Sequence, residues 1–116
     1  MFARNVRFRL RPDVLCEFNA AFEESVMPIL RRQKGFQDEI MLALPGGMDV
    51  IAISIWDTQE DGETWNLSRY HDVISVLGQF LRAKPRGQTL AVLHHSGKDV
   101  DAFVCAEASA SCGKPH

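Results

Sequence analysis

The chain has 116 residues, 46% of them hydrophobic, which suits one compact domain and leaves no room for two. Its 13 Lys and Arg against 15 Asp and Glu give a net charge of −2, and no basic run exceeds Arg31-Arg32, so nucleic acid is disfavoured as a main partner. No apolar stretch is long enough to span a bilayer, which argues against a membrane partner.

Residues 2–10 alternate as a strand does. Phe2, Val6, Phe8 and Leu10 share one face, with Arg4 as the exception; Ala3, Asn5, Arg7 and Arg9 share the other. This start lacks the continuous apolar core of a signal peptide, so a cytoplasmic protein is expected. Cys16, Cys105 and Cys112 agree, being odd in number, without metal-like spacing, and read as reduced thiols.

Arg11-Pro12-Asp13 ends the strand and opens a helix over residues 13–34, with Asp13 suited to its N-terminus. Leu15, Phe18, Phe22, Val26 and Ile29 recur at helical spacing and make one apolar stripe. Pro28 sits inside this helix and crowds the carbonyl of Glu24, which predicts a kink or a separate last turn. Gly35 caps the end.

Residues 36–44 and 48–56 form two further strands joined by Pro45-Gly46-Gly47, an antiparallel hairpin. The second of them is apolar on both faces. Ile51, Ile53 and Ile55 point one way; Val50, Ala52 and Trp56 point the other. Asp57 or Thr58 then caps a second helix that reaches residue 84, where Pro85-Arg86-Gly87 stops it. Its stripe is Leu67, Tyr70, Ile74, Leu77 and Leu81. Trp65 is out of phase with that stripe, which predicts a helix break near residues 68–72. A fourth strand follows at residues 88–95. His94 and His95 are adjacent on it, point to opposite faces and cannot chelate one ion together. The domain is expected to span residues 1–96. Residues 97–116 read as a tail, with a short helix at residues 100–108.

The order β-α-β-β-α-β is the ferredoxin-like split motif, an α+β fold with a four-stranded antiparallel sheet. Two helices can cover only one face of that sheet. Each well-buried Ile, Leu or Val contributes on the order of 1.5–3 kcal/mol, so a second apolar face left wet would forfeit several such increments. A homodimer, with a second copy on the open face, is the economical answer.

Three stretches narrow the choice of family. They are Met27-Pro28-Ile29-Leu30-Arg31-Arg32-Gln33-Lys34-Gly35-Phe36, Val50-Ile51-Ala52-Ile53-Ser54-Ile55-Trp56-Asp57, and Lys84-Pro85 before the last strand. Together they resemble the antibiotic biosynthesis monooxygenase domain family, within the dimeric α/β-barrel superfamily, over residues 2–96. The resemblance implies a homodimeric barrel with two sheets face to face and helices outside. Some members oxygenate polycyclic aromatic phenols without metal or flavin, some bind and degrade haem, and many have no established activity. Haem-degrading members carry a strand Asn, a helix Trp and a later His. Asn5 and Trp65 stand at the first two positions, but Ser75 stands where the His is expected, and His71 lies one turn away.

The leading expectation is a cofactor-independent monooxygenase, needing no metal, that acts on a small aromatic or quinol-like metabolite between helices and sheet. Asn5, Trp65 and His71 would be its catalytic group. Tyr70 and Arg7 would bind substrate. Haem binding or degradation is the first alternative; a non-enzymatic dimer that binds a small hydrophobic ligand, or a stress-related protein, is the second. The chain has no phosphate-cradling Gly-rich loop, no Cys/His metal array and no nucleophile triad in an expected context.

Overall fold

A computed structural model describes residues 1–98. The expected tail helix at residues 100–108 lies outside the described residues. Four strands, β1 (Phe2–Arg9), β2 (Phe36–Ala43), β3 (Asp49–Trp56) and β4 (Arg86–Ala91), form one sheet in the order β2-β3-β1-β4, with every neighbouring pair antiparallel. This is the ferredoxin-like topology, with both helical layers on one face. The last strand lies earlier than expected: its paired residues run from Arg86 to Ala91, opposite Arg7 to Phe2, with one further bond from the Val92 N–H to the Met1 carbonyl.

The first helical layer comes in three segments: α1 (Leu15–Ala21), a π-helical turn (Phe22–Val26) and α2 (Met27–Arg31). The widened turn ends where Pro28 begins the last segment. It absorbs the missing N–H and the ring's clash that the sequence implies, so the helix is interrupted as expected. Its start is a correction. Asp13 does not cap it; Asp13 adopts φ 60°, a left-handed conformation that a short polar side chain tolerates, and Val14 precedes the helix without a side-chain cap. Gly35, at φ 80°, closes the layer, and any side chain there would also run into Asp61.

The second layer is α3 (Gln59–Leu77), followed by a 3-10 turn, Gly78–Phe80. The Thr58 hydroxyl accepts the Asp61 N–H at 3.1 Å, which is the expected cap. The expected break near residues 68–72 does not occur, since α3 is continuous. Trp65 needs no phase reset because it meets another surface: its ring lies 6.2 Å from that of Trp56, tilted by 32°. Leu67, placed on the core stripe from the sequence, is 79% exposed.

Between sheet and helices the core is aromatic. Phe18 contacts Phe8 at 5.3 Å and Phe80 at 6.2 Å between ring centroids, and Leu10, Leu30, Val50, Trp56 and Leu77 are buried around them. The other face of the sheet differs. Ile40 and Leu42 of β2 sit opposite Ile53 and Ile51 of β3, and Leu90 of β4 opposite Ala3 of β1. Ile40, Leu42 and Leu90 are all exposed. The β3 strand is therefore apolar on both faces as read, and one of those faces stands open in the single chain.

Candidate active site

The helices leave a gap above the centre of the sheet, a cavity of about 430 Å³. Phe22, Val26 and Leu30 form one wall, and α3 contributes Trp65, Tyr70, His71, Val73 and Ile74 as the other. Val6, Phe8 and Ala52 make an apolar part of the floor.

The rest of the floor is polar, and the register explains why. Glu39 pairs with Ser54, Ser54 with Arg4, and Arg4 with Thr89, so four residues form a row across β2, β3, β1 and β4. Side chains directly opposite each other share a face, and Arg4, Glu39 and Ser54 all line the cavity. Ser54 is occupied, its hydroxyl accepting the Trp56 indole N–H at 2.8 Å. Arg4 donates from Nη1 to the Thr89 hydroxyl at 3.1 Å, while its Nε is buried without a partner. Gly87 keeps room for the guanidinium, because a Cβ there would lie 2.6 Å from Arg4 Nη2. Glu39 Oε1 is likewise buried without a partner.

Burial decides the charge of both groups. Desolvation raises the Glu39 carboxyl to about 8, so it is mostly a neutral acid at pH 7. Desolvation lowers the Arg4 pKa, and the charge of Glu63 works against that shift; an arginine remains charged nonetheless. The floor thus holds one cation and one neutral acid, each with an unused hydrogen-bonding atom. An unpartnered buried polar atom costs about 1–3 kcal/mol, a cost that a ligand supplying the partner would remove.

Residues 1–75 match the family model described as "Antibiotic biosynthesis monooxygenase". The chain belongs to that family. Solved structures with this fold include a putative antibiotic biosynthesis monooxygenase from Bordetella bronchiseptica, at TM-score 0.70 and 10% identity, covering 80% of this chain and 97% of that one. A Streptomyces coelicolor monooxygenase solved with nanaomycin D matches at TM-score 0.65 and 18% identity, over 81% of this chain and 92% of its own. SnoaB, a cofactor-independent oxygenase from Streptomyces nogalater, matches at TM-score 0.66 and 15% identity, over 84% and 97%. At these identities the likeness is one of fold. No curated protein matches the chain in sequence.

As a family member the chain has its cavity between helices and sheet, and the expected site residues divide around it. Trp65, Tyr70 and His71 line it together. Asn5 and Arg7 do not. Asn5 pairs with Ile53 and Gln88 on the open face, and Arg7 on the same face forms an ion pair with Asp49 at 3.4 Å. The reason is parity: on β1 the even-numbered residues face the cavity, so Arg4 occupies the inward position beside Asn5. Two floor residues were thus missed. Arg4 had a signal, as the charge that interrupts an apolar face. Glu39 had none, because the pairing of β2 with β3 slips between Phe36 and Asp38. That bulge lets Phe36 turn onto Trp56, 5.6 Å away, and still brings Glu39 inward.

Haem fits this site poorly. His71 is the histidine among the lining residues, and it is exposed. The propionates of a haem could meet Arg4, but its macrocycle offers no donor to Glu39 Oε1. Among the described residues there is no group of three metal-ligating side chains, and no helix is long and apolar enough to cross a membrane.

Proposed function

We propose that this chain is a homodimeric, cofactor-independent monooxygenase that acts on a small aromatic phenol or quinol in the cavity. The observation that carries the reading is the cavity itself: apolar and aromatic walls over a floor with an unpartnered carboxyl and an unpartnered guanidinium nitrogen. Membership of the monooxygenase family supports the reaction type.

A flat aromatic ring fits the space between Trp65 and Tyr70 on α3 and Phe22 and Val26 on the facing wall. Loss of a proton makes the ring electron-rich enough to react with oxygen directly. Oxygen adds at the ring carbon that is a methylene in the phenol's keto tautomer, as in an anthrone, to give a hydroperoxide. Loss of water then leaves a carbonyl, so one oxygen atom enters the product and the other departs with the two hydrogens. The protein's part is to exclude water, fix the ring and hold the proton. Glu39, raised to about 8, takes that proton in its ionised form, which predominates only above that pH, and His71 and Tyr70 at the wall can relay it. Trp65 walls the ring. Asn5 and Arg7 belong to the open face and take no part in this chemistry. The second copy covers that face, with Ile40, Leu42, Ile51 and Ile53 at the contact. A cytoplasmic setting is part of this proposal, and three cysteines without metal-like spacing agree with it.

The test is oxygen uptake by chelator-treated protein with anthrone-like and quinol substrates. Protein-dependent uptake, with one O2 consumed per carbonyl formed and no response to chelator, is the expected result. A rate no faster than the protein-free reaction across the panel would overturn it.

A further inference from the structure

We infer that the cavity reads its ligand at two ends, Arg4 taking an anionic oxygen and Glu39 a hydroxyl, so that the preferred ligand is a fused aromatic acid with a hydroxyl at its far end. This rests on the reading of the cavity as the substrate site, and not on the oxygen chemistry.

The first argument is geometric. Glu39 and Arg4 sit in one row, separated only by Ser54 on β3. Two strand spacings of ~4.8 Å put their backbones roughly 10 Å apart. Arg4 also reaches away from Glu39, toward Thr89 and Gly87 on β4. A single ring cannot bridge that span; a fused ring system with a polar group at each end can. Between Glu39 and Arg4, Ser54 accepts the Trp56 N–H and keeps its own O–H as a donor toward the middle of the floor.

The second argument is the unused hydrogen bonds. Arg4 Nε and Glu39 Oε1 are two of the three buried side-chain polar atoms without a partner among the described residues, and both residues line this one cavity. An N–H needs an acceptor, and a carboxyl oxygen needs a donor such as a hydroxyl. The third argument is charge. With Glu39 neutral, the floor carries the Arg4 cation, while Arg69 at the wall is already paired with Asp72 at 3.3 Å. Glu63 acts on Arg4 as the opposing charge. An anionic oxygen is favoured at the Arg4 end, where the positive charge lies, whereas the Glu39 end offers no cation to it.

The test uses calorimetric titration at pH 6.5 with three probes: 6-hydroxy-2-naphthoate, 2-naphthoate and 2-naphthol. The two-ended probe should bind at least tenfold tighter than either one-ended probe. Arg4→Met should erase the gain from the carboxylate and leave 2-naphthol affinity within twofold. Glu39→Met should erase the gain from the hydroxyl and leave 2-naphthoate affinity within twofold. Arg4→Lys, which keeps the charge in case Arg4→Met fails to fold, should retain part of the carboxylate gain. Equal affinity for the three probes would overturn the inference. So would saturable binding of none, or an equal loss for all three in either Met variant. Oxygen uptake is scored separately. Two-ended binding without uptake keeps this inference and sinks the monooxygenase; uptake without two-ended binding does the reverse.

Discussion

The two faces of the sheet are built from the same strands and do opposite things. On the inner face Val50 and Trp56 are fully buried, and aromatic residues from the helices pack over them. A polar row from Glu39 to Thr89 interrupts that packing and leaves a cavity. On the outer face Ile40, Leu42 and Leu90 are exposed, on the same side as Asn5, Gln88 and Arg7, while Ala3 and Ile55 at one end are buried. The inner face withholds polar groups from water, where each can act strongly on a ligand. The outer face holds apolar area that only another surface can bury. Chemistry and assembly are thus separated by the 2-residue period of a strand.

The largest effect should come from placing a charge on the outer face. At the proposed dimer contact, Ile53→Asp would bury an unpaired carboxylate, twice per dimer by symmetry, at about 3–5 kcal/mol for each charge. Sedimentation should show a dimer become a monomer. A wild-type chain that sediments as a monomer at micromolar concentration would break the comparison at once. On the inner face Phe18→Ala removes a fully buried ring and should cost about 3–5 kcal/mol in denaturant unfolding, with folding retained only if the chain has that margin.

Glu39 gives a subtler contrast. Its carboxyl ordinarily titrates at 4.5 and in the folded chain at about 8. Between those values the folded state holds a proton that the unfolded state has lost, so stability is full below the lower value and falls as pH rises through the upper one. Glu39→Gln should remove this slope. The variant should gain on the order of 5 kcal/mol over wild type at pH 9 and under about 1 kcal/mol at pH 5, read from melts across that range. A wild-type stability that is level from pH 5 to 9 would contradict the buried carboxyl. Haem titration should give no saturable Soret band, since His71, the histidine among the described lining residues, is exposed. The smallest effect is expected at Arg7. Its ion pair with Asp49 is half exposed, so Arg7→Ala should cost under about 1 kcal/mol and leave oxygen uptake unchanged.

Much of this was legible in the sequence. The alternation of β1, the double-sided apolarity of β3, the Thr58 cap, the Gly35 stop and the interruption at Pro28 are local or short-period signals. Each depends on neighbours within a few residues, so the sequence alone determines them, and with them the βαββαβ order. What required the tertiary structure depends on which surface a residue meets. Trp65 was out of phase with its helix, and only the position of Trp56 beneath α3 explains it without a break. Asn5 and Arg4 are adjacent in sequence, and which of them faces the cavity depends on which face of the sheet the helices cover. Glu39 sits beside apolar Ile40 and behind a bulge that shifts the strand's phase, so periodicity pointed elsewhere. A strand's period fixes which residues share a face. Only the packed sheet decides which face is dry, and a dry face is what turns a carboxyl and a guanidinium into a site.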